Sequence, residues 1–136
     1  MNIETRTDRA KGLRTQTLRG EINLAAIIPF LATLYGSAEF DPGFHSLWDL
    51  REAVLLEVSA LEIRELASFL RVNWAEKYSR KTAVVISGDY HFGLSRMLEQ
   101  FIGPSGLGKI KTFRDLQGAT DWIEGKVSAA PQQLLG

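Results

Sequence analysis

Asp49 and Arg51, two residues apart, and Ser87, Asp89 and His91, spaced by two behind an apolar run, are the side chains of this sequence best suited to hold a ligand. A guanidinium, two carboxylates and an imidazole brought together would bind an anion or a polar headgroup. Arg51 is the strongest member of that set, because its planar fork pairs with a carboxylate or phosphate through two hydrogen bonds. Ser87 near His91 invites comparison with a hydrolase. A nucleophile elbow needs a glycine two residues before and after its serine, whereas Val85 and Asp89 stand at those places here. His45 lies far from His91 in the chain, and the sequence contains no cysteine, which leaves no metal-ligand spacing. Neither a catalytic residue nor a metal nor a cofactor is expected. Ser105-Gly106-Leu107-Gly108-Lys109 lacks the spacing of a phosphate-binding loop and leads into a strand. Ser59, three residues before Glu62, has two uses. It caps a helix in an S-x-x-E box, or it accepts a phosphate that the free N–H groups of that helix end would hold.

The elements that position these groups follow from periodicity. Ile3–Thr7 and Leu13–Leu18 read as a hairpin around Gly12, and their polar members (Glu4, Arg6, Arg14, Gln16) suit an edge with one solvated face. Asn23 caps a helix bearing Leu24, Ile27, Ile28, Leu31, Leu34 and Tyr35, which Gly36 closes and Pro29 kinks or divides. Phe44 to Leu50 alternates, with Phe44, Ser46, Trp48 and Leu50 on one face, so that Asp49 and Arg51 fall at the strand's carboxyl end. A second helix turns Leu66, Phe69, Leu70 and Trp74 inward. Lys81–Ile86 is a buried strand feeding a third helix, capped by Asp89, with Leu94, Met97, Leu98, Phe101 and Ile102 on its core stripe. Gly93 inside it implies close approach to the sheet. Lys109–Phe113 is an edge strand, and Asp115 caps a last helix with Leu116, Ala119, Trp122 and Ile123 inward. The order β-β-α-β-α-β-α-β-α defines one α/β domain over residues 1–127, and residues 128–136 read as a flexible tail.

Composition bounds the function. The 136 residues are 45% apolar, enough for one core without disulfides or metals. Sixteen Lys and Arg balance sixteen Asp and Glu, so no net field draws the chain to nucleic acid or an anionic membrane. Met1 to Arg19 is polar, unlike a signal peptide, and no apolar run approaches a membrane span; a cytoplasmic protein is expected.

Arg19-Gly20-Glu21-Ile22, Trp48-Asp49-Leu50-Arg51, Ala83-Val84-Val85, Phe92-Gly93-Leu94-Ser95-Arg96-Met97 and Phe113-Arg114-Asp115 with Ala119 and Trp122-Ile123 occur in an order and spacing that resemble the SpoIIAA-like proteins. These form a branch of the STAS superfamily, named after bacterial anti-sigma-factor antagonists. The resemblance covers about residues 3 to 124. It implies a βα superhelix with a mixed five-stranded sheet and about four helices, and a non-enzymatic role in binding partner proteins, nucleotides or other small ligands. Comparison of such proteins with the lipid-carrying CRAL-TRIO fold adds an apolar ligand. The regulatory members carry Asp-Ser-Ser-Gly-Leu where this chain has Glu57-Val58-Ser59-Ala60-Leu61, so of the two serines only Ser59 keeps its place for a phospho-switch.

Two binding functions follow. The first is a module acting through protein contacts, including a homodimer, with the regulatory role that the resemblance implies, Asp49, Arg51, Asp89 and His91 as its polar edge, and a closed core. The second is a carrier or sensor of an apolar, lipid-like molecule. The very apolar segment from Ile27 to Phe44, with Ile28, Leu31, Tyr35 and Phe40, would either form an interface or line a pocket. A carrier requires an internal apolar cavity beneath it.

Overall fold

The computed structural model describes residues 2–73, 80–103 and 110–126. Trp74, the 105–108 loop with Lys109, and the tail from residue 128 lie outside them. β1 (Asn2–Asp8) and β2 (Leu13–Ile22) form the expected antiparallel hairpin, closed through Gly12 at φ +61°. β2 runs longer than its β-branched core suggested and takes in Arg19 to Ile22, with Gly20 at φ +83°. β3 (His45–Leu55), β4 (Thr82–Val85) and β5 (Ile110–Phe113) follow, each parallel to the strand before it. The sheet order is β1-β2-β3-β4-β5.

That order places the helices. Each crossover steps one strand in the same direction, and the right-handed rule puts every such helix on the same face. α1 (Ile27–Tyr35), α2 (Ala60–Asn73) and α3 (Asp89–Ile102) accordingly share one core with the sheet, built on Leu18, Ile22, Ile27, Leu31, Ala53, Leu66, Leu70 and Ile102. α4 (Leu116–Glu124) covers the opposite face, packing Ala119 and Ile123 on Leu47, Ala83, Val85 and Phe113.

The end signals of the helices are mostly where the sequence put them. Asn23 accepts from the Ala25 N–H, but the turn it caps is a separate 3-10 turn, Leu24–Ala26, and α1 begins after it. Pro29 then falls in the first turn of α1, where no intrahelical donor is lost. Ser59 and Glu62 form a reciprocal capping box: the Glu62 N–H donates to Ser59 Oγ at 3.1 Å, and the Ser59 N–H donates to Glu62 Oε1 at 3.0 Å. Asp115 accepts from the Gly118 N–H at 2.7 Å, and Gly125 closes α4 in the left-handed region.

Gly36 closes α1 as expected, in a right-handed conformation. Four local expectations are corrected. Gly88, at φ +83°, is the N-cap of α3, and Asp89 is its first residue. Leu116 is exposed rather than inward. Arg14 and Gln16 are not on a solvated face: β2 lies between β1 and β3 under the helices, which buries both. Gly93 makes no close approach, since a Cβ there would meet nothing within 4 Å. Glycine at this exposed mid-helix position therefore only lowers helix propensity. Gly93→Ala should stabilise the protein by about 1 kcal/mol, read as a rise of a few degrees in thermal midpoint. An unchanged or lower midpoint would show that the glycine is needed.

Candidate ligand-binding site

The alternation of β3 builds one wall of a cavity. Phe44, Ser46, Trp48 and Leu50 share a face, as the sequence indicated, and that face looks toward the helices. Pairing across the parallel strands sets them in rows. Arg14, Ser46, Thr82 and Ile110 lie side by side at the amino end, and Gln16, Trp48, Val84 and Thr112 form the next row. Leu18, Ile22 and Leu55 continue the floor toward the carboxyl end.

A β-bulge keeps the floor continuous. Thr17 pairs with Asp49 and Arg19 with Glu52, so β3 carries one extra residue opposite Leu18. Without it the alternation would turn Ala53 and Leu55 outward; with it Ala53 is buried and Leu55 lines the cavity.

α2 and α3 pack along one another, whereas α1 meets the helical layer mainly through the preceding 3-10 turn. The space left between α1 and the sheet is a cavity of about 140 Å³. Leu31, Leu34 and Tyr35 of α1, Leu66 and Leu70 of α2, and Leu94 and Leu98 of α3 complete its walls, with Phe40 and Pro42 in the loop above. Trp48, Leu50 and Val84 stay half-buried although they lie in the sheet beneath the helices. Pro42 and Arg80, both exposed, lie at its rim. Of the residues singled out for an apolar pocket, Leu31, Tyr35 and Phe40 line it; Ile28 packs on the core without reaching it.

The amino-end row is polar where the rest is apolar. Arg14 is only 4% exposed, with its guanidinium 4.3 Å from the centre of the Phe40 ring and one hydrogen bond of 3.2 Å to the Asp41 carbonyl oxygen. Burial pushes its pKa below the usual arginine value, against the nearby negative charges. Thr82 is 3% exposed, and its hydroxyl has no hydrogen-bond partner among the described residues; the same holds for the Gln16 amide nitrogen. Ser95 and Thr112 satisfy each other at 2.7 Å. His45, just before Ser46, accepts the Lys81 backbone N–H on Nδ1 at 3.0 Å. Burial first, then the charges of Arg80 and Lys81, hold its pKa below the usual histidine value.

The polar edge singled out in the sequence lies elsewhere. β3 continues to Leu55, so Asp49 and Arg51 are inside the strand rather than at its end. Asp49 shares the α4 face with Leu47, opposite the cavity. The fork of Arg51 is closed on Asp49, with Nε and Nη2 at 2.9 and 2.8 Å from its carboxylate oxygens. Those bonds hold the Asp49 carboxyl below its usual range and raise Arg51. Asp89 pairs with Arg114 at 2.8 Å, and His91 lies against Tyr90 with ring centres 5.6 Å apart. Among the described residues no hydrogen bond or ion pair joins the Asp49–Arg51 pair to Asp89 or His91. Ser59 is exposed in its capping box. Among the described residues, no group of three acidic or imidazole side chains could hold a metal, and no helix is long and apolar enough to cross a membrane.

Arg14 and Thr82 were missed as site residues. The usable signal was their position, polar residues on the inward parity of strands flanked by apolar ones, and it needed the strand order to be read.

This arrangement is the SpoIIAA-like α/β fold, a mixed five-stranded sheet with four helices among the described residues. A crystal structure with that fold, an uncharacterised protein of the DUF3478 family from Shewanella loihica PV-4, superposes with a TM-score of 0.54 at 18% identity, covering 90% of this chain and 92% of that one. At that identity the likeness concerns the fold alone. No protein-family profile and no curated protein matches the sequence.

Two stability measurements follow from the amino-end row. Thr82→Val removes a buried hydroxyl without a partner and should raise stability by about 1 kcal/mol; a loss of that size would reveal a hydrogen bond. His45 has a lowered folded-state pKa, so its contribution is complete above about pH 6.5 and is lost as the pH falls through the folded value. The thermal midpoint should therefore fall more steeply for the wild type than for His45→Asn between about pH 7 and 5.5. Parallel curves would exclude this linkage.

Proposed function

We propose that this domain binds an apolar small molecule in the cavity under α1 and the 36–44 loop, as a carrier or sensor and not as an enzyme. The observation that carries the reading is the cavity itself, about 140 Å³ between α1 and the sheet, lined by leucine, isoleucine and aromatic side chains. A space of that size accepts a benzene-sized body. The space opens to solvent past Pro42 and Arg80, and a ligand that fills it takes the apolar walls out of water.

The alternative, a module acting through protein contacts, called for a closed core, and the cavity weighs against it. The non-enzymatic part of the reading is supported by Ser87 and His91, the pair that invited comparison with a hydrolase, neither of which lies on the cavity wall. Asp49 and Asp89 are engaged in ion pairs with Arg51 and Arg114, and Ser59 in a cap, none of them on the cavity wall.

Titration of methyl-labelled protein with 1-octanol tests the reading. The methyl signals of Leu18, Leu31 and Leu66 should shift, and Leu34→Trp, which fills the space from a half-buried position, should abolish the shifts while leaving the spectrum folded. Signals that stay fixed up to the solubility limit of 1-octanol, and equally with sodium octanoate, would overturn it.

A further inference from the structure

The two ends of the cavity differ in chemistry. Leu18, Ile22 and Leu55 make one end wholly apolar, whereas Arg14, Ser46 and Thr82 stand in one row at the other. Arg14 is a cation almost removed from water. A guanidinium has five N–H donors, and here one of them is used on a backbone carbonyl, with Phe40 against the group's face. Among the described residues no carboxylate lies within 4.0 Å of it. The carboxylate of the adjacent Asp41 accepts instead from the Gly43 N–H at 2.8 Å. Asp41 acts on Arg14 only from beyond contact distance, and a buried charge without a contacting counter-ion is strongly disfavoured. The orphaned Thr82 hydroxyl in the same row is a second polar group that folding leaves unsatisfied. Arg80 at the rim adds positive charge at this end.

We propose that the ligand of this cavity is an amphiphilic carboxylate. Its headgroup sits at the Arg14 end, and an apolar body between a benzene ring and an octyl chain in size lies over Trp48, Leu50 and Leu18. This rests on the reading of the cavity as a ligand site and adds the charge and orientation of what fills it. The planar fork of Arg14 fits two carboxylate oxygens in one plane. One deeply buried cation balances one negative charge. A phosphate monoester would bring nearly two, of which buried Arg14 balances one, while Arg80 stays in solvent at the rim.

The test compares three probes of equal chain length on the 136-residue chain: sodium octanoate, 1-octanol and octyl phosphate, followed by calorimetry and by the methyl signals of Leu18 and Leu31. Octanoate should bind at least tenfold more tightly than octanol, about 1.4 kcal/mol. Arg14→Met should remove that preference while leaving octanol binding in place, and Arg14→Lys should retain part of it. Because the octanoate–octanol comparison is made on the wild type, it holds even if a variant fails to fold. Equal affinity for octanoate and octanol, or a preference that survives Arg14→Met, overturns the headgroup assignment and leaves the apolar site standing. Tighter binding of octyl phosphate overturns the choice of carboxylate. If no probe moves the methyl signals, the binding cavity itself falls, and this inference with it.

Discussion

A parallel sheet whose strands follow one another in chain order has no point at which the order reverses. Everything distinctive in this molecule depends on that constraint. With β2 to β5 laid down in one direction, three crossover helices must share a face, and the other face is left to α4. In doubly wound sheets ligands collect at the carboxyl edge because helices diverge to opposite faces at the reversal and open a crevice there. This sheet has no such crevice. The space that does exist lies between the shared helical layer and the sheet, where the nine-residue α1 spans less of the floor than the fourteen-residue α2 and α3.

The same constraint explains which parts of the structure were legible in the sequence. Local signals were read well because their causes are local: the hairpin at Gly12, the caps at Asn23, Ser59 and Asp115, the glycine stop at Gly125, and the alternation from Phe44 to Leu50. The SpoIIAA-like fold followed from the succession of these elements. What failed was what required strand order. Arg14 and Gln16 look like the solvated side of an edge hairpin until β3 is known to lie beside β2 and the helices above it. Asp49 and Arg51 look like the carboxyl end of a strand until β3 is followed through its bulge to Leu55. The bulge itself was hidden because Leu50-Arg51-Glu52-Ala53 breaks the two-residue period, and a broken period reads as the end of a strand.

α3 teaches a narrower lesson. Its apolar stripe was correctly assigned to Leu98 and Ile102, yet among its most buried side chains is Ser95, whose hydroxyl meets Thr112 of β5. A small polar residue can sit deeper than its leucine neighbours when one matching hydroxyl faces it, since the pair satisfies both groups at little cost in volume. Leu94 is freed by this to face the cavity instead of the sheet. The polar pair thereby helps to decide where α3 is tightly seated and where it stands clear.

The bulge in β3 also fixes where this chain can change its length. Arg51 is the supernumerary residue: taken out, Leu50 would fall opposite Leu18 and Glu52 opposite Arg19 in an unbroken ladder, with Ala53 and Leu55 still facing the helices. Removing a single residue before Asp49, Leu47 for example, would instead reverse the facing of everything upstream of it, and Ser46 and Phe44 would leave the cavity wall. Gain or loss of one residue during divergence is thus tolerable at a single joint of the central strand. Relatives of this domain should differ in length at that joint before they differ anywhere else along β3.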